Sequence, residues 1–178
     1  MACNKAGTLK QLVDGLFEMA RLESGGYRFD HQRLDATAVL GEELAGLYAQ
    51  FEAAGKLPEV HLPDSPLWMV GSEEALGRVF ANLLQNMAGH GEMPLAISGE
   101  SADSEVVFRF SNAAPQLAPG DEGRLFQRFF TADRTRTGRN TGLGLSIAKE
   151  FAEQMNDHIE AELKDILLTF TLRWPATV

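Results

Sequence analysis

Cysteine is nearly absent from this 178-residue chain, with only Cys3 near its start. One thiol excludes a disulfide framework and a cysteine-built zinc site, and it fits a reducing compartment. Long apolar runs are also missing, so no segment has the length of a bilayer-spanning helix. Residues 1–10 lack the order of a secretory signal, and the expectation is a soluble chain. Positive charge is scarce as well. Sixteen Lys and Arg against 25 Asp and Glu leave a net charge of −9, which argues against a general nucleic-acid-binding surface. What is present, 44% hydrophobic residues at this length, suffices for one good-sized core and a short extra element at one end.

Hydrophobic periodicity divides the chain into elements. Leu9, Leu12, Val13, Leu16, Phe17 and Ala20 share one helical face, and Gly25-Gly26 ends that run as a C-cap does. Residues 27–35 read as a short strand. A helix follows over about 37–54, with Leu40, Leu44, Leu47, Tyr48 and Phe51 in register. Short strands are expected at 58–62 and 66–70, then a helix from about Glu73, then strands at 95–99 and 105–110. The second of these alternates clearly at Val106, Phe108 and Phe110. Residues 111–141 form a connection too long to be ordinary, and such loops are usually functional. A helix over 143–155 and two strands meeting near Lys164-Asp165 close the chain. The elements do not alternate strictly as a doubly wound parallel sheet requires, so an α+β sandwich is the expected class.

Two segments carry chemistry. In the helix from Glu73, the residues Arg78, Asn82 and Asn86 lie on one stripe, while Leu76, Val79, Phe80, Leu83 and Met87 face the other way. An amide oxygen on a rigid helix can hold a hard cation, and magnesium is usually held by one or two protein oxygens plus the phosphates it accompanies. The second segment, Gly142-Leu143-Gly144-Leu145, stands just before a helical run, where backbone amides at a helix start can approach phosphate oxygens. Between them lies a basic stretch. From Asp121 to Asn140 there are five arginines against three acids, a local excess that suits a polyanion the size of a nucleoside triphosphate.

In order and spacing these segments resemble the histidine-kinase-type ATP-binding domain. Arg78 to Asn86 resembles its N box, Asn140 to Leu145 its second glycine box, and Leu125-Phe126-Gln127-Arg128-Phe129-Phe130 its F box. The resemblance implies a two-layer α/β sandwich, a mixed sheet with helices on one face and an ATP lid. It further implies that residues 1–26 are the remnant of the second helix of a dimerisation hairpin and 27–178 the catalytic domain. ATP and Mg2+ are the implied cofactors. The implied metal ligand is Asn86, with Asn82 orienting phosphate or metal waters and Asn112 meeting adenine. Thr141, Gly142, Leu143, Gly144 and Leu145 would present the phosphate loop, with Arg134, Arg136 or Arg139 reaching the phosphates and His90 a phosphate or ribose contact.

Related hydrolases of this architecture carry a glutamate one helical turn before the metal-binding asparagine, where it can take a proton from water. Here that position is Asn82, an amide without useful basicity, so transfer to an acceptor outside the chain is the implied reaction. None of His31, His61, His90 and His158 has the acidic and proline context of an acceptor histidine. Two departures stand out. The first glycine box, usually Asp-x-Gly-x-Gly, corresponds to Asn112-Ala113-Ala114-Pro115-Gln116, and Thr131 replaces the usual base after the F box. The implied partners are the parent kinase's histidine-bearing hairpin, a response-regulator receiver domain and a second copy in a homodimer, with no nucleic acid. The implied parent is anchored in the cell membrane, with this domain in the cytoplasm. The rival reading is a pseudokinase that keeps the fold as a nucleotide-sensing or interaction module.

Overall fold

The computed structural model describes residues 2–131 and 141–177. Helix α1 (Ala2–Glu23) ends where Gly25 turns left-handed (φ 65°) and the Gly26 N–H returns to the Arg21 carbonyl at 2.8 Å. Strand β1 (Gln32–Asp35) leads directly into α2 (Ala36–Ala54), capped by Asp35, whose Oδ1 accepts from the Thr37 N–H at 3.0 Å and from the Leu67 N–H at 3.1 Å. Gly55, again left-handed, ends α2. Strands β2 (Glu59–His61) and β3 (Trp68–Gly71) precede α3 (Glu73–His90), whose cap is Ser72, with Glu73 and Glu74 placed favourably in its first turn. Strands β4 (Glu92–Ala102) and β5 (Glu105–Ala113) form a hairpin turned at Asp103-Ser104, both at positive φ. Helix α4 (Gly144–Gln154) and the hairpin β6 (Ile159–Lys164) with β7 (Leu167–Pro175) complete the chain.

The main sheet is mixed, in the order β2-β4-β5-β7-β6, with β2 parallel to β4 and the other pairs antiparallel. Alternation assigns its faces. Ile97, Phe108, Phe110, Phe170, Leu172 and Trp174 are buried against the helices. The opposite face carries polar pairs, Arg109 with Glu100, Ser111 with Thr169, and Arg173 with Glu160. At the centre Phe80 of α3 meets Phe108, Phe110 and Trp174, with ring centroids 5.1 to 6.4 Å apart. This is the expected two-layer α+β sandwich with helices on one face. Strands β1 and β3 form a separate two-stranded sheet.

Several expected boundaries move, among them the strand expected over 95–99, which runs from Glu92 to Ala102. The strand expected over 27–35 is confined to Gln32–Asp35. Tyr27 and Phe29 alternate because both rings pack on Phe151 of α4, at 5.3 and 5.9 Å, and among the described residues no strand pairs with them. The long connection starts later than expected, because β5 continues to Ala113 beside Leu167. Within it a short 3-10 turn spans Glu122–Arg124.

Helix α1 is docked by its C-terminal half. Met19 and Leu22 are buried and the Leu22 carbonyl accepts from Gln154 Nε2 at 3.2 Å. Leu9, Val13, Leu16 and Phe17 remain exposed, Phe17 at 69%.

Candidate functional site

Helix α3 sets one wall. Its apolar residues are driven into the sheet, which fixes the helix rotation and leaves Asn82, Asn86 and His90 on the opposite stripe. The Asn82 amide nitrogen donates to the Arg78 carbonyl at 2.8 Å. That bond commits the donor end of the side chain to the helix and leaves Oδ1 as the other end of the amide.

The second wall is the start of α4. Leu143 occupies the N-cap position with no side chain capping the helix, so the first amides of α4 have no partner within it. The Leu143 N–H reaches Thr141 Oγ1 at 3.4 Å. Gly142 is left-handed (φ 65°), and its carbonyl accepts from the Phe129 N–H at 2.9 Å. A Cβ there would lie 2.7 Å from the Phe129 backbone, so both conformation and space demand glycine. At Gly144 a Cβ would stand 3.2 Å from Asn82 Oδ1. Uncapped amides and the asparagine oxygen therefore lie side by side, one set suited to phosphate oxygens and the other to a cation that accompanies them.

Between these walls is a cavity of about 950 Å³, bounded also by Leu125 and Phe130. A further side is α1, which contributes Gln11, Asp14, Gly15 and Glu18, and Gln50 of α2 also borders it. The sequence reading did not place α1 at the site. The signal was Gly15, a helix-weakening residue inside an apolar run. A Cβ there would come 3.0 Å from Leu143 Cδ1, so its absence lets α1 lie flush against the glycine loop. Two ion pairs tie α1 to other segments, Glu18 to Arg78 of α3 at 3.5 Å and Glu23 to Arg128.

Asn112 sits apart from the cavity lining, at the end where His90 and Gly91 close α3. It is 2% exposed. Its Nδ2 donates to the Ala113 carbonyl at 2.9 Å, and its buried Oδ1 has no hydrogen-bond partner among the described residues. An orphaned acceptor of this kind fits a ligand donor such as an exocyclic amine. Arg134, Arg136 and Arg139 lie outside the described residues. Among the described residues no three His, Cys, Asp or Glu groups gather to hold a metal. His31, His61 and His158 are exposed and away from the cavity.

The family model described as histidine kinase-, DNA gyrase B- and HSP90-like ATPase matches residues 71–178. Sensor protein VanS of Enterococcus faecium is 33% identical over 179 residues, which is 97% of this chain and 46% of that protein. The chain thus spans about half the length of this curated relative. Among solved structures, full-length ShkA in complex with AMPPNP superposes with a TM-score of 0.83 at 19% identity, covering 99% of this chain and 38% of that one. Histidine kinase ThkA in complex with the response regulator TrrA gives 0.76 at 18%, covering 98% and 49%. These likenesses establish the shared fold.

Proposed function

The chain belongs to the histidine kinase-, DNA gyrase B- and HSP90-like ATPase family, and from that premise we propose that it is the ATP-binding catalytic domain of a two-component sensor histidine kinase. In this reading it passes the γ-phosphate of ATP to a histidine on another segment of the parent protein, and from there the phosphate goes to a response-regulator receiver domain. The observation that carries the reading is the contact between the uncapped start of α4 and the Asn82 oxygen, set by the absence of a Cβ on Gly144.

The residues divide the work. Asn86, one turn beyond Asn82 on the half-buried stripe, is the proposed magnesium ligand, and magnesium when bound neutralises charge on the β- and γ-phosphates. Asn82 orients the phosphates or the metal's waters through Oδ1. It has no basicity with which to activate water, which favours transfer over hydrolysis. Thr141, Gly142, Leu143, Gly144 and Leu145 present the phosphate-binding backbone. Asn112 Oδ1 receives the adenine amine, and His90 reaches ribose or phosphate. Arg134, Arg136 and Arg139 supply the lid's positive charge. Helix α1 is the remnant of the second hairpin helix, its exposed apolar stripe the face that would meet the rest of the hairpin and a second copy. The parent is proposed to be membrane-anchored.

Incubation with γ-labelled ATP and magnesium tests this directly. Alone, the chain should bind ATP yet remain unlabelled. Adding the hairpin from the parent protein should produce label that is acid-labile and alkali-stable, as a phosphoramidate is. Binding without transfer in the presence of the hairpin identifies a pseudokinase instead. Brisk hydrolysis without the hairpin, or stable phosphate on a serine or threonine, overturns the histidine-kinase reading.

A further inference from the structure

Beyond the residues that touch nucleotide in the reading above, the structure assigns Lys56, on the loop after α2, as a positioning residue that sets base discrimination. Its Nζ donates to the Gly91 carbonyl at 2.7 Å, across 35 residues of sequence and in a half-buried setting. Gly91 is the point where α3 ends, and its N–H is already fixed by the Met87 carbonyl at 2.9 Å. Both peptide groups of Gly91 are therefore held. The neighbouring His90 carbonyl accepts from Gln116 Nε2 at 3.4 Å.

What this fixed segment touches gives it meaning. A Cβ on Gly91 would fall 2.9 Å from Asn112 Cγ, so the Gly91 backbone lies flat against the Asn112 amide. On its other side that amide is tied through Nδ2 to the Ala113 carbonyl. The two restraints define which way the buried, unpartnered Oδ1 faces. An acceptor with one fixed direction distinguishes a base that offers an amine from one that offers a carbonyl, because a mispaired buried oxygen is penalised. Lys56 supplies a charge-assisted bond to that support, stronger than a neutral donor would give. Losing it removes one of the two bonds that hold the Gly91 peptide groups and so loosens the support behind Asn112.

The inference rests on the nucleotide-site reading, and one set of titrations separates the two. ATP, GTP and inorganic tripolyphosphate are titrated with magnesium into the parent chain, Lys56→Met, Lys56→Arg and a surface control, Lys164→Met, whose ammonium pairs with the exposed Glu162. The expected result for Lys56→Met is about tenfold weaker ATP binding, a reduced preference for ATP over GTP and unchanged tripolyphosphate affinity. Lys56→Arg, which keeps a charged donor, should recover most of the loss, and Lys164→Met should match the parent. Undiminished ATP affinity in Lys56→Met, equal weakening of ATP and tripolyphosphate, or no recovery in Lys56→Arg each overturns the inference. If Lys56→Met does not fold, Gln116→Ala, which loosens the same segment from an exposed position, should reduce the ATP preference with tripolyphosphate unchanged, and the inference fails if it does not. A parent chain that binds none of the three overturns the nucleotide-site reading itself, whereas a discriminating parent with an inert Lys56 overturns only this inference.

Discussion

Replacing Asp157 with asparagine isolates the energetic cost of one buried ionisable group that the nucleotide site does not use. Asp157 follows α4 at the start of the turn into β6, is 4% exposed, and has an Oδ2 with no partner. Burial raises its pKa from 3.8 to about 7, against the opposing pull of the His158 and Arg173 N–H groups and the Arg173 charge, with Glu105 adding to the rise. The folded chain therefore holds this proton more tightly than the unfolded chain does. The sign follows: the group destabilises the fold increasingly as pH climbs from about 4 to about 7, and the cost is constant above that. At ~1.4 kcal/mol per pH unit of difference the ceiling is about 4 kcal/mol. Asparagine keeps the accepting oxygen and the shape, and it never ionises. The advantage of the variant over the parent should grow by roughly 2 to 3 kcal/mol between about pH 5 and about pH 8. Urea unfolding of both proteins across this range, followed through the buried Trp174, measures the difference. A difference that stays flat with pH, or a variant that loses ground as pH rises, would refute the assignment of this cost to Asp157.

Four further outcomes are expected. Asn86→Ala should keep the unfolding midpoint within a few degrees and weaken magnesium-ATP binding about tenfold while leaving metal-free ATP binding nearly unchanged, as measured by calorimetric titration. Gly142→Ala meets both a left-handed backbone and a Cβ 2.7 Å from Phe129, so it should cost more than about 1 kcal/mol of stability and most of the nucleotide affinity. Gly46→Ala, in the middle of α2 with nothing within 4 Å of the new Cβ, should instead stabilise by about 0.5–1 kcal/mol; chemical denaturation compares the pair. The exposed apolar stripe of α1 should drive concentration-dependent association in analytical ultracentrifugation, and Phe17→Glu should reduce it without lowering the unfolding midpoint. Equal association by the variant would sink that role for the stripe.

The local pattern of the sequence determined every element with its own period and caps. Helix α3 is an example, since the spacing of Leu76, Val79, Phe80, Leu83 and Met87 dictates which face is buried and therefore that Asn82 and Asn86 face outward together. The helix after Gly142 and the alternating β5 were legible for the same reason. Tertiary structure decided what depends on close approach between segments distant in the chain. Tyr27 and Phe29 alternate like a strand, yet their rings pack on α4 rather than beside a partner strand. Gly15 reads as a weak point in a helix until it is seen to admit Leu143 and bring Asp14 and Glu18 to the cavity. Asn112 has the same sequence neighbours whether its oxygen is paired or orphaned; its direction is set by the Gly91 backbone packed on it and by the Nδ2 bond to the Ala113 carbonyl. Periodicity encodes which face of an element leaves water, because that choice is made residue by residue. The distances between faces are fixed only once all the elements are packed at once.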